Sequence, residues 1–445
     1  MSLKKINSAL ISVYYKDNLE PIIKKLNQLG VTLYSTGGTQ KFIEDLKIPV
    51  NAVEELTGFP AVFGGRVKTL HPKIFGGILY RRALNEDVAQ AERYNIPPID
   101  LVIVDLYPFE ETVSGGGSHE DIIEKIDIGG ISLIRAAAKN YKDVLIISSR
   151  NQYESFNELL SSQNGATFIE DRKHYALEAF NNSSHYDTAI YQYFSKLDKE
   201  NGGFGENFKF SINTSRILRY GENPHQKGIF YGKLDQMFDQ LNGKELSYNN
   251  LVDIDAAVGL IDEFEETTYA ILKHTNACGA ASANSPKEAY LKALQADPVS
   301  AFGGVIITNK KVDFETAEEL NKLFFEVLIA PEFDEKALSM LTGKKNRIIL
   351  RRKEVQLPTY QFKNLLNGVI IQDKDLKTEK ISDLNCVTEK APTEEERRAL
   401  VFANKIVKHS KSNTIVLAKD GQLFANGVGQ TSRVDALKQA LEKAK

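Results

Sequence analysis

An α/β protein that opens with a doubly wound parallel sheet is what the sequence predicts, and three features predict it. Short apolar runs without polar alternation recur through the first 150 residues, as in strands covered on both faces. Between them, apolar residues return at helical spacing. Glycines and small polar residues punctuate the joints between the two patterns.

Taken in order, Ala9–Val13 reads as a buried strand. Leu19, Ile22, Ile23 and Leu26 mark one face of a helix that Gly30 stops. Val31–Ser35 returns to strand, Thr36-Gly37-Gly38-Thr39 makes a tight connection, and Phe42, Ile43 and Leu46 continue as helix. Leu101–Leu106 and Val144–Ser148 are further strands. In such a sheet ligands bind at the carboxyl ends of the strands. Polar, glycine-rich residues then predict a linker over 196–207, between a first domain of residues 1–195 and a second region of 208–445. In that region Tyr269–Leu272 reads as a strand and Val434–Lys445 as an amphipathic helix.

Composition narrows the function. At 445 residues the chain calls for two or three domains. Hydrophobic residues at 42% and charged ones at 26% fit a folded, soluble chain. A net charge of −3 without a basic stripe argues against nucleic acid as a partner. Anionic ligands would need local basic pockets. Cys278 and Cys386 form no metal-ligand or redox spacing. No metal site is expected, and a reducing cytoplasm fits. The N-terminal run is too short for a signal peptide, and no run reaches membrane-helix length. A membrane partner is therefore not expected.

Three segments of the first half look like parts of one anion site. Ser35-Thr36-Gly37-Gly38-Thr39 lies at a strand end before a helix, where backbone N–H groups can meet phosphate. Alone it is equally an ordinary turn. Gly64-Gly65-Arg66-Val67-Lys68-Thr69-Leu70-His71-Pro72 concentrates a guanidinium fork, an ammonium and further polar groups, or is a solvated basic turn. Asp127-Ile128-Gly129-Gly130 precedes a helical pattern ending in Lys139-Asn140, so Asp127 is a catalytic carboxylate or a helix cap.

The ordered set STGGT, ELTGFP, GGRVKTLHP, LYPF and IDIGG followed by LIRAAAKN resembles the bifunctional purine-biosynthesis family. That family joins IMP cyclohydrolase to AICAR (phosphoribosyl-aminoimidazole-carboxamide) formyltransferase. In the second half LRYGENPHQ, LKHTNACGAA, ADPVSAFGG, KSNTIVLAK and GVGQTSRV continue the resemblance. It implies a methylglyoxal-synthase-like first domain, followed by cytidine-deaminase-like α/β subdomains without zinc. It also implies formyl transfer from 10-formyltetrahydrofolate to AICAR, then dehydrating closure of the product, FAICAR, to IMP. No tightly bound cofactor is implied, and a homodimer is.

For ring closure the resemblance implies that Ser12, Lys16, Thr36, Gly37, Gly38 and Thr39 hold the 5′-phosphate. Arg66, Lys68 and Thr69 line the base and reacting centre, Ile128, Gly129 and Gly130 also bind the substrate, and Lys68, Tyr107, Asp127 and Lys139 carry the chemistry. Twelve residues on one straight helix would part Asp127 from Lys139 by roughly 18 Å, so a bend is required if both act together. Two departures stand out. Tyr14 replaces a smaller hydroxyl residue, and Asp105 replaces an asparagine and is expected to contact a donor or point away.

For formyl transfer the implied base is His274, with Lys273 and Asn413 assisting, and Arg219, Tyr220, His225 and Arg433 binding the nucleotide. Relatives continue past the Gly429-Gln430-Thr431-Ser432-Arg433 stretch into a folate-contacting SDAFFPF-type motif. The 208–445 region is thus expected to be C-terminally incomplete, at the expense of formyl transfer and not of ring closure. The alternative reading is a phosphate-ligand-sensing module on the first domain's fold. Lys68, Tyr107, Asp127 and Lys139 together favour chemistry over sensing.

Overall fold

The computed structural model describes residues 3–197 and 207–445. The expected linker therefore lies largely outside the described residues. The chain divides into two compact units, Met1–Asn213 and Thr214–Lys445.

Unit 1 holds β1 (Ser8–Ser12), α1 (Glu20–Gln28), β2 (Thr32–Ser35), α2 (Gly37–Asp45) and β3 (Asn51–Ala52). Then follow β4 (Leu101–Val104), α3 (Gly129–Lys139), β5 (Leu145–Ile147) and α4 (Ile169–Leu197). The five strands form one sheet in the order β3-β2-β1-β4-β5, and every pairing is parallel. Order reverses between β1 and β4, which is a topological switch point. Both faces are covered, so Leu101, Val102, Ile103 and Val104 are all buried and their run shows no alternation.

Local signals set the helices. Pro21 stands in the first turn of α1, where its missing N–H costs nothing, and Ile22, Ile23 and Leu26 are buried. Gly30, at φ 73°, turns the chain toward β2 in a conformation that favours glycine. The long α4 runs through Leu197, beyond the expected start of the linker. Segment 207–211 bonds back to it: the Tyr191 hydroxyl donates to the Asn207 carbonyl at 2.8 Å, and Gln192 Nε2 to that of Lys209 at 3.0 Å.

Unit 2 is built on an eight-stranded mixed sheet. Its strands are β6 (Phe238–Asn242), β7 (Thr268–Lys273), β8 (Asn276–Ser282), β9 (Val305–Thr308), β10 (Val327–Ala330), β11 (Ile348–Arg352), β12 (Ile415–Lys419) and β13 (Gln422–Gly427), in the order β6-β11-β10-β9-β7-β8-β13-β12. Side chains alternate between two cores. Ala270, Leu272, Val305 and Ile307 enter one, while Tyr269, Ile271 and Ile306 enter the other. β8 meets β13 through a single registered pair, Ala281 with Gln422. The last hairpin thus joins along a narrow seam. Arg433–Lys443 forms α5, its N-terminus capped by the Ser432 side chain, which accepts from Asp435 N.

Candidate active site

A cavity of about 820 Å³ opens in unit 1 at the carboxyl ends of β1, β2 and β4. Ser12, Lys16, Thr36, Gly38, Thr39, Arg66, Lys68, Thr69, Tyr107, Asp127, Ile128, Gly129 and Gly130 all line it. The three sequence segments therefore converge, as the switch point requires.

At the foot of the cavity lies the N-terminus of α2. Gly37 turns the chain at φ 57°, and among the described residues no side chain caps the helix. Its first N–H groups and dipole are thus available to an anion. The hydroxyls beside them are otherwise engaged. Thr36 donates to Glu54 Oε1 at 2.6 Å, and Thr39 donates to the Val13 carbonyl at 2.9 Å while accepting from Val13 N at 3.1 Å. They brace the loops, and the backbone faces the cavity. A Cβ on Gly37 would lie 3.7 Å from Lys68 Nζ, so the second segment's ammonium stands against the first segment's turn. Burial lowers the Lys16 ammonium, with Lys68 adding to the shift and Asp105 opposing it.

Asp127 is buried, and its Oδ1 accepts from Gly130 N at 2.6 Å. It is both a helix-end acceptor and a cavity group. Burial pushes its carboxyl above the ordinary range and Asp105 adds to this, against the Gly130 bond and the Lys68 charge. The Tyr107 phenol is raised by burial, then by Asp127, Tyr14 and Asp105, so it stays a donor. Asp105 accepts from the backbone N–H of Tyr14 and, at 3.0 Å, of Tyr15. It contacts donors, yet it also lines the cavity. Tyr14 sets its ring edge-on to Tyr107, with centroids 5.5 Å apart.

Not every expected residue arrives. Lys139 is exposed, at the far end of the uninterrupted eleven-residue α3. Ten steps of helix place it about 15 Å along the axis from Gly129. The required bend is absent, and Lys139 is not among the cavity lining. Leu70, beside Thr69 in the basic segment, is 38% exposed. His71 caps the helix Pro72–Leu79, its Nδ1 accepting from Lys73 N at 3.2 Å. Conversely, Glu124 and Lys125 line the cavity without having been expected. Glu124 pairs with Arg66, and Lys125 Nζ lies 5.4 Å from the Tyr14 ring centroid. Their only sequence signal was closeness to Asp127.

In unit 2 the expected residues fall into two groups. Lys273 ends β7 and donates to the Phe302 carbonyl at 2.8 Å. His274 and Thr275 follow with φ values of 52° and 66°, and the Thr275 N–H donates to Asp253 Oδ1 at 2.7 Å. Asn276 Oδ1 accepts from Lys411 N at 3.4 Å, and Asn413 Nδ2 donates to the Gln430 carbonyl at 3.1 Å. These bonds tie the His274 turn to the Asn413 loop. Arg219 donates to the Tyr220 hydroxyl at 2.7 Å. Arg219, His225, His274 and Arg433 are exposed. Among the described residues, no three or more His, Cys, Asp or Glu groups gather as a metal site would require. No described helix is long and apolar enough to cross a membrane.

Fold and cavity define the class: an α/β protein with a cavity at the switch point of a parallel sheet. Residues 18–132 match the MGS-like domain, and residues 137–443 match the AICARFT/IMPCHase bienzyme family. The bifunctional purine biosynthesis protein PurH of Bacteroides thetaiotaomicron is 62% identical over 99% of this chain and 86% of its own length. The PurH of Aquifex aeolicus is 46% identical over 98% of this chain and 86% of its own. That of Listeria monocytogenes serovar 1/2a is 43% identical over 98% and 88%. The chain belongs to the AICARFT/IMPCHase bienzyme family.

Proposed function

We propose that ring closure takes place in the unit 1 cavity and formyl transfer around His274 in unit 2. The activity itself follows from family membership: the chain is a bifunctional formyltransferase and cyclohydrolase, catalysing the last two steps of IMP synthesis on small-molecule substrates. That membership disfavours the ligand-sensing alternative. The formyl donor is assigned as 10-formyltetrahydrofolate, the location as the cytoplasm and the active form as a homodimer. The exposed formyltransferase residues support the dimer, since a second copy would exclude water from them.

One observation carries the placement of ring closure: an uncapped helix N-terminus, a lysine, a protonated phenol and a buried carboxylate face one cavity. In the reaction the carboxamide nitrogen bonds to the formyl carbon and gives up a proton, while the formyl oxygen becomes a hydroxyl. That hydroxyl leaves as water as the former formamide nitrogen loses its proton. The attack is intramolecular, so holding a near-attack geometry and managing charge are the main tasks. In this reading the α2 N–H groups and Lys16 hold the 5′-phosphate. Lys68 stabilises the developing oxyanion, Tyr107 donates to it, and Asp127 accepts the amide proton. In unit 2, His274 takes the proton from the attacking 5-amine, and Lys273 and Asn413 position the partners.

Lys68→Ala should slow closure of supplied FAICAR by about a hundredfold or more, the usual cost of removing one oxyanion donor. Absorbance reports turnover, and a thermal melt reports folding. Near-normal turnover would remove Lys68 from the chemistry.

A further inference from the structure

We infer that Tyr186, on α4 and remote in sequence from every motif above, is a positioning residue for ring closure. The inference rests on the reading of Asp127 as a cavity group. Tyr186 is 5% exposed, and its ring meets Phe109 edge-on at 6.0 Å. Its hydroxyl makes two bonds to one short stretch of the cavity wall. The Asp127 N–H donates to Tyr186 Oη at 2.9 Å, and Tyr186 Oη–H donates to the Lys125 carbonyl. Both Lys125 and Asp127 line the cavity. Their side chains have further contacts at the cavity wall: Asp127 accepts from Gly130 N, and the Lys125 ammonium lies over the Tyr14 ring.

A single oxygen thus satisfies a buried donor and fixes the backbone that aims a carboxylate and an ammonium at the same space. Burial raises the Tyr186 phenol well above its ordinary value, so the hydroxyl keeps the proton it gives to Lys125. Without that oxygen the Asp127 N–H loses the acceptor it has among the described residues. The stretch then shifts toward another partner, and small misplacements of reacting groups carry large rate costs.

The experiment is Tyr186→Phe in the full chain, which keeps the packed ring. We expect kcat for ring closure to fall by about ten- to a hundredfold. The KM for FAICAR should stay within about twofold, because the phosphate-side contacts come from other elements. Unchanged kcat, or kcat and KM moving together with the melting temperature, would overturn the inference. Asp127→Asn is measured in parallel. A slow Asp127→Asn beside an unimpaired Tyr186→Phe sinks only the positioning role, whereas a normal Asp127→Asn sinks both readings. Should the Phe variant melt below the assay temperature, 3,5-difluorotyrosine at 186 retains ring and hydroxyl but ionises at lower pH. A new alkaline limb in kcat is then expected, as the ionised oxygen can no longer donate to Lys125. Its absence would overturn the inference.

Discussion

Two buried carboxylates share the unit 1 cavity, and their environments set its pH behaviour. Burial raises both Asp105 and Asp127, and Asp105 raises Asp127 further as a like charge. Between the unfolded value and the raised folded value, the folded protein binds more protons than the unfolded one. These two groups therefore lower stability as pH rises through that window. The catalytic consequence has the same origin: if Asp127 must be ionised to accept a proton, the acid limb of ring-closure kcat lies above the ordinary carboxylate range. A pH–rate profile checks this. Asp105→Asn removes the like charge and should move that limb to lower pH. It also removes repulsion from the phosphate side, so the KM for FAICAR should fall about two- to tenfold. A limb that stays in place would show that Asp127 does not set it.

Among the elements, α3 decides most about the site. Its first turn presents Gly129 and Gly130 to the cavity, and its far end carries Lys139 to the surface. A Cβ on Gly130 would stand 2.4 Å from Asp127 Oδ2, too close for the carboxylate to keep its place. Gly130→Ala should therefore slow ring closure by about tenfold or more. The same change removes a glycine from the first turn of the helix, where the gain in stability is below the roughly 1 kcal/mol of a helix interior. Activity and melting temperature are thus expected to part, the first falling while the second holds or rises. A variant that loses both together would mean the glycine serves packing alone. The short helix Pro72–Leu79 shows the same dual economy, since His71 of the basic segment serves as its cap.

At the scale of the whole molecule, each unit has its own sheet and its own buried cores. The proposed chemistries divide along the same boundary. His274 sits in a positive-φ turn between the interior strands β7 and β8 of the unit 2 sheet, and the unit 1 cavity is lined by unit 1 residues only. His274→Ala should then abolish formyl transfer, yet close the ring of supplied FAICAR at the unaltered rate. Separate assays of the two half-reactions measure this directly. Loss of both activities would mean that the units do not work independently.

The parallel sheet was legible in the sequence because its strands are buried on both faces. Uniform apolar runs such as Leu101–Val104 have little other use in a chain of this composition. The STGGT, GGRVKT and IDIGG segments were legible as one site for a related reason. Glycine turns ahead of helices are local features, and the fold gathers these three at its switch point. Tertiary structure alone decided which groups at those turns face the cavity. It spent the Thr36 and Thr39 hydroxyls on Glu54 and Val13, left Lys139 outside, and brought Glu124 and Lys125 in. It also set Tyr186 against Asp127 across 59 positions of chain. Periodicity and propensity act over a turn or two of backbone, and so they fix the type of each element. The direction of a side chain at an element's end depends on which distant group satisfies its hydrogen bonds, and that partner exists only once the chain has folded.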